Sequence, residues 1–199
     1  MAQELFGVNL VPTIPWKNGG GATRELARWP PGADMEHFDW RVSVATIAQS
    51  GPFSRFAGVD RVITLLTGDG LHLRQPEAGI DHRLEQALQP FAFAGDGGMD
   101  CELLGGTSQD FNLMTRRGRW RGAVQVLRNQ AVLPARPAGL LLAVQGRWTV
   151  TPLAATPGRA VVLGPDAGWW WADEECGWNA VPEASAGDSV LLQVLLEPA

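Results

Sequence analysis

Lys17, Asn18, Thr23, Arg24 and Glu25 surround three consecutive glycines in the segment PWKNGGGATRE, residues 15 to 25. Glycines let a backbone approach a ligand closely, and the flanking side chains bring charge and hydrogen-bonding groups to it. Phosphate binding is the first chemistry to test, and the residue order argues against it. A phosphate-cradling loop needs its lysine after the glycines and beside Ser or Thr, at the mouth of a helix, whereas Lys17 precedes them. The glycines also have a purely structural use, in a tight bend or a close packing of strands. Lys17 is the only lysine beside 15 arginines, and tyrosine is absent. That composition fits GC-rich coding, so the single lysine carries no weight of its own.

Other reactive types are sparse. His37 and His82 sit in polar segments, and His72 alternates with Leu71 and Leu73 in the manner of a solvated strand residue. Cys101 and Cys176 lie far apart without metal-ligand spacing, which reads as two reduced structural thiols.

These residues need a scaffold, and the pattern supplies strands. The chain of 199 residues is long enough for one domain or two small ones, and its 14 prolines and 24 glycines favour short segments over long helices. In FDWRVSV, residues 38 to 44, Phe38, Trp40, Val42 and Val44 share one face while Asp39, Arg41 and Ser43 share the other, which meets solvent or lines a cavity. Residues 61 to 66, RVITLL, read as a buried strand, and the TGDG that follows suits a tight hairpin into LHLR. Residues 110 to 114, DFNLM, form a further short strand, and IDHRLEQALQ, residues 80 to 89, has the pattern of a helical turn or two. The net charge of −5 argues against nonspecific binding to nucleic acid or to anionic membranes. The N-terminal MAQELFGVNLVPTIP has no basic region ahead of its apolar residues, and no apolar run is long enough to span a bilayer, so a cytoplasmic protein is expected.

A faint internal repeat is visible. RVITLLTGDGLHL, from Arg61, resembles GLLLAVQGRWTV, from Gly139: an apolar strand, a glycine turn and a second alternating strand. LPARP, residues 133 to 137, precedes the second copy as a hinge or edge. A duplicated barrel with glycine turns is similar to the cupins, whose metal pattern is G-x5-H-x-H-x3,4-E-x6-G. With its last glycine placed on Gly68, the glutamate position falls on Arg61 and the histidine positions on Ser54 and Phe56, while the second copy has Gly139 at the glutamate position. A divalent cation needs several deprotonated ligands, and an arginine among them repels it. The expectation is a barrel with no metal and no cofactor.

Five ordered blocks carry a closer resemblance: PWKNGGGATRELA (15 to 27), FDWRVSVATI (38 to 47), GPFSRFAGVDRVITLLTGDG (51 to 70), FAFAGD (91 to 96) and DFNLMTRR (110 to 117). Together they resemble the HutD family, which includes the Ves proteins; the C-terminal third matches more loosely, and Ala57 stands where the family often has proline. The resemblance implies an all-β, cupin-like double-stranded β-helix fold in a two-barrel, bicupin arrangement. Residues 1–130 form its N-terminal barrel and 131–199 its C-terminal half, with strands exchanged between them. It also implies an accessory role in histidine utilisation, regulatory or protective, through sensing an intermediate such as urocanate or formylglutamate. Ves relatives are linked with cold and stress responses, so the fold alone does not fix the pathway.

Arg24, Arg41, Arg61 and Arg116 fall in or beside these blocks. Gathered in one cavity they would attract small carboxylates despite the acidic whole, because a guanidinium fork binds a carboxylate through two parallel hydrogen bonds. Asn18, Ser43 and Asn112 are placed to read an amide, formyl or imidazole group, and Glu25, Asp60 or Asp110 to hold the arginines. The competing reading pairs each arginine with Asp39, Asp60 or Asp110 on strand surfaces. The rival function is a metal-free isomerase or epimerase in which Lys17, Glu25 or Asp110 moves protons. A third reading is a stress-linked scaffold acting through WWWADEECGW, residues 169 to 178, where clustered tryptophans either cap the barrel and bury in a homodimer contact or form a ligand platform.

Overall fold

The computed structural model describes residues 2–153, 159–183 and 189–199. Strand makes up 65% of the chain and helix 3%, so the fold is nearly all-β, as the cupin-like reading requires. Among the described residues seventeen strands follow in order: β1 (Ala2–Gly7), β2 (Thr13–Pro15), β3 (Gly21–Trp29), β4 (Trp40–Ile47), β5 (Gly51–Phe53), β6 (Val59–Thr67), β7 (Leu71–Gln75), β8 (Ile80–Leu84) and β9 (Pro90–Ala94). Then come β10 (Met99–Leu103), β11 (Ser108–Arg116), β12 (Trp120–Leu127), β13 (Ala131–Gln145), β14 (Trp148–Pro152), β15 (Val161–Leu163), β16 (Ala167–Pro182) and β17 (Val190–Pro198). The chain divides into two compact units, one of Pro12–Arg121 with Ala199 and the other of Met1–Val11 with Gly122–Pro198.

In the Pro12–Arg121 unit one sheet runs β2-β3-β4-β11-β6-β9 and a second runs β5-β10-β7-β8. Ile47, Ile63, Leu65, Leu71, Leu73, Leu84, Phe93, Met99 and Cys101, drawn from both sheets, form one buried cluster. Strands that are apolar on one face and polar on the other in sequence therefore become buried on both, β4 and β11 above all.

The glycine turn after β6 is not a hairpin. β6 pairs with β11 and β9, whereas β7 pairs with β10 and β8, so residues 68 to 70 carry the chain from one sheet to the other. A Cβ on Gly68 would lie 2.5 Å from Ser108 Oγ, and φ there is +101°, a combination that leaves room for glycine alone. The segment from Ile80 is likewise a strand and not a helical turn. Ile80, His82 and Leu84 turn inward while Asp81 and Arg83 stay exposed, a period of two that the polar residues after Leu84 obscure.

The other unit is built on a single sheet. Its sheet runs β12-β17-β13-β16-β14-β15, with β1 added along β16. The turn after β13 again separates strands that do not pair with one another, and a Cβ on Gly146 would lie 2.3 Å from Ser189 Oγ, as Gly68 stands to Ser108. The register matches as well. Arg61, Ile63 and Leu65 oppose Met114, Asn112 and Asp110 in the first unit, and Gly139, Leu141 and Ala143 oppose Leu195, Gln193 and Leu191 in the second. The faint sequence repeat thus corresponds to two glycine turns with like neighbours and like strand registers.

The second copy lacks the charged pair, with Leu191 opposite Ala143 and Gln193 as the counterpart of Asn112. Gly139 stands where the first copy has Arg61, and a Cβ on it would come 2.5 Å from the Trp171 ring. Trp148, Trp169, Trp171 and Trp178 fill this unit's core around Cys176. All three residues of the Trp169–Trp171 run are buried, Trp169 and Trp171 against Trp178 and Trp170 on the opposite face of the strand. The tryptophan-rich segment is therefore a core and not an exposed platform or surface.

Candidate ligand cavity

Alternation on the strands of the Pro12–Arg121 unit decides which side chains face inward. Row by row across the large sheet, Arg28, Arg41, Met114, Arg61 and Phe93 lie side by side on β3, β4, β11, β6 and β9. Glu25, Ser43, Asn112 and Ile63 make the next row, and Thr23, Ala45, Asp110 and Leu65 the one beyond. Arg28 is three residues from Glu25, a spacing that in a regular strand would put it on the opposite face. The register between β3 and β4 shifts between Glu25 and Ala27, and this bulge turns Arg28 back to the side of Glu25.

All three rows, apart from Phe93, Ile63 and Leu65, contribute to the lining of a cavity of about 670 Å³. Lys17, Asn18, Thr23, Glu25, Arg41, Ser43, Arg61, Asp110 and Asn112 from the sequence-derived set line it. Ser54 and Phe56, the histidine positions of the ordinary cupin metal pattern, line it too. Among the described residues no group of three or more His, Cys, Asp or Glu side chains is placed to hold a metal ion.

Two members of the set stand elsewhere. Arg24 alternates with Thr23 and Glu25, opposite Thr13 and Val44, and so turns to the other face of β3. Arg116 ends β11, where its guanidinium stacks 5.2 Å from the Phe38 ring centre and donates to the carbonyls of Glu36 and Ala57 at 2.5 and 3.0 Å. It ties the segment before β4 to the end of β11. The surface pairing expected for the arginines is made by others: Arg117 bridges Asp60 and Asp96, and Arg119 meets Asp39.

The glycine run serves both of the uses considered for it. Gly19 N donates to Trp16 O and Trp16 N to Gly21 O, closing the β2–β3 turn, and a Cβ on Gly21 would lie 2.3 Å from the Thr46 carbonyl oxygen. That turn in turn presents Trp16, Lys17 and Asn18 to the cavity. Trp16 Nε1 donates to Thr23 Oγ1 at 2.8 Å, and Asn18 Oδ1 accepts from Gly20 N at 3.0 Å.

Two charge clusters divide the cavity. At one end Glu25 accepts from Arg41 Nε at 2.6 Å through one oxygen and pairs with Arg28 Nε at 3.1 Å through the other. At the other end Arg61 is 8% exposed and, among the described residues, has no carboxylate in direct contact. Its Nη2 donates to Asn112 Oδ1 at 3.0 Å, and the guanidinium carbon lies 5.3, 5.8 and 5.1 Å from the ring centres of Phe53, Phe56 and Phe93. Asn112 Nδ2 donates onward to Asp110 Oδ1. Burial lowers the Arg61 pKa to about 10, against the opposing pull of Asp110. Burial also pushes the Asp110 carboxyl up to about 7, although Arg61 and Asn112 act to lower it.

Sequence reasoning missed Arg28, Trp16, Met35, Phe53 and Met114 among the lining residues. Trp16 and Phe53 lay inside recognised blocks and were signalled by their neighbours. Arg28 had no signal, because the bulge that re-aims it leaves no mark in the residue pattern.

The chain matches the HutD family over residues 9–191. It is 37% identical over 171 residues to protein Ves of Cronobacter sakazakii, covering 85% of this chain and 87% of that protein. An uncharacterized protein in the hutC 3′ region of Pseudomonas putida is 44% identical over 125 residues, 61% of this chain and 63% of that one. Among solved structures, HutD from Pseudomonas fluorescens superposes with a TM-score of 0.80 at 29% identity, covering 100% of both chains. A cupin 2 conserved barrel domain protein from Leptotrichia buccalis shares the fold, with a TM-score of 0.60 at 8% identity, covering 98% of this chain and 96% of that one. Motif blocks, the β-rich fold and near full-length similarity converge, and the chain belongs to the HutD family.

Proposed function

We infer that this protein is an accessory factor of the HutD type that binds a small organic carboxylate in the cavity of its Pro12–Arg121 unit. One observation carries the reading: Arg61 is buried at the cavity with a neutral amide oxygen as its hydrogen-bond partner and three aromatic rings around it. A buried cation without a directly contacting carboxylate is costly, and an incoming carboxylate supplies what is missing through a charge-assisted pair. Arg41 stands in the same row across Met114, with its Nη1 held by weak contacts to Ser43 and Met114 at 3.4 and 3.8 Å. The walls suit an organic anion over an inorganic one, since Trp16, Ile47, Phe53 and Phe56 put apolar surface beside the arginines.

The family resemblance supplies the candidates, urocanate and formylglutamate, and with them a role in histidine utilisation as a sensor in the cytoplasm. Binding without turnover is the reading the contacts favour over an isomerase. Asp110 is 0% exposed, and Glu25 is already engaged by two arginines, so neither carboxylate is presented as a free base. A thermal-shift series against every intermediate of histidine degradation tests the proposal, because a ligand that binds only the folded form raises its melting temperature. A saturable rise with urocanate or formylglutamate supports it. Turnover of either compound would favour the enzyme reading, and no shift at millimolar ligand would remove the sensor.

A further inference from the structure

We propose that Asp110 is a proton-linked counter-charge beneath the cavity, which takes up a proton when an organic anion docks on Arg61 and weakens that docking when it is ionised. The inference rests on the carboxylate-binding reading above and adds its control.

The argument starts from where the charges sit. Glu25 is committed to Arg28 and Arg41 at the far end of the cavity. Asp110 is the only carboxylate among the described lining residues left for Arg61, and it reaches that arginine through Asn112 rather than by contact. No side chain shares its second oxygen: Asp110 Oδ2 is buried and without a hydrogen-bond partner among the described residues. The groups facing Asp110 are Arg61 on β6, Arg41 on β4, Glu25 and Arg28 on β3, Lys17 in the β2–β3 turn and Cys101 on β10. Burial holds the Cys101 thiol protonated, pushed up to about 12, so it adds no negative charge near neutral pH.

Asp110 and a bound carboxylate thus compete for one cation. When the anion docks, Arg61 gains a directly contacting counter-ion, and the buried Asp110 charge becomes a second negative charge beside the same cation. Like charges raise one another's affinity for protons, and desolvation acts in the same direction. The carboxyl group already needs little to become neutral, since burial has brought it close to its midpoint at neutral pH. The proton goes to a carboxylate oxygen of Asp110, the anion stays ionised, and the Arg61–Asn112 bond is kept. Anion affinity must then fall as pH rises, by up to about tenfold per pH unit for one linked proton.

The test uses the whole protein labelled with carbon-13 at the aspartate carboxyl carbons, with acetate and urocanate as separate probes. Without a probe, one carboxyl resonance should titrate near neutral pH and vanish in Asp110→Asn. Adding a probe should raise its midpoint, and calorimetry of the same probe should show Asp110→Asn binding at pH 8 as tightly as the wild type does at pH 6. A resonance that titrates in the ordinary aspartate range overturns the proposal whatever the variant does. Probes that shift the Trp16 indole resonance without moving the Asp110 midpoint overturn the linkage and leave the carboxylate reading standing. Probes that perturb neither bring down both.

Discussion

Arg61 and Asp110 lie on adjacent strands of one sheet and face the same cavity, yet the side-chain amide of Asn112 stands between them, accepting from the arginine and donating to the aspartate. Asn112 is therefore the link that holds the buried cation in place without neutralising it. A direct ion pair would satisfy Arg61 internally and leave little for a ligand to gain. Asn112→Asp places such a partner beside Arg61, and it should reduce carboxylate binding at pH 8 at least tenfold while keeping the fold, as calorimetry and circular dichroism would show.

Arg61→Met retains the apolar stem against Phe53, Phe56 and Phe93 and removes the charge. The melting temperature should stay within a few degrees of the wild type at pH 6, with carboxylate-induced stabilisation abolished. Arg61→Ala is the poorer probe, because it also empties the space between three rings. Its melting temperature should therefore fall along with its carboxylate binding.

The raised Asp110 pKa fixes a sign for stability. A carboxyl whose folded value, about 7, exceeds the unfolded value binds more protons in the folded state between the two. Its contribution is present below the unfolded pKa and is lost as pH rises towards 7. Asp110→Asn imitates the protonated form, so the difference in melting temperature between variant and wild type should shift in the variant's favour from pH 5 to pH 8.

The lessons for reading such a chain are specific. Strand faces were legible wherever polar and apolar residues alternate, so Arg41 and Ser43 share one face in the sequence, but whether that face meets solvent or a cavity is decided by the sheet packed over it. Hidden from the sequence was anything set by pairing. The turns at Gly68 and Gly146 resemble hairpin turns because both kinds need glycine, and only the partners of β6 and β7 show that the chain changes sheets. Arg24 turns away by ordinary alternation between Thr23 and Glu25, and Arg28 is brought to the cavity side by the bulge after Glu25. Arg116 is conformationally close to the site in sequence but is spent on backbone carbonyls. The tryptophan run was opaque for another reason, since the Trp171 ring packs against Gly139, a position without a side chain on a strand far away in sequence.

That last dependence gives a further prediction. Gly139→Val puts a branched side chain where the Trp171 ring lies 2.5 Å from a would-be Cβ. Overpacking of this kind costs about 1–3 kcal/mol, so the melting temperature should fall and the tryptophan emission should shift.

Both cysteines are buried with their thiol pKa values pushed up by desolvation, Cys101 to about 12 and Cys176 to about 11. Thiolate is the reactive form. Neither should react with a chromogenic disulfide reagent in the native protein at pH 8, and two equivalents should appear on unfolding in denaturant.

The central claim is that Arg61 recognises a carboxylate in the cavity. Calorimetric titration of the wild type and of Arg61→Met with urocanate and with formylglutamate at pH 6 addresses it most directly. Saturable one-to-one binding of at least one compound to the wild type, with none to Arg61→Met, is the predicted result. Absence of heat with both compounds, or equal affinity in the variant, would contradict it.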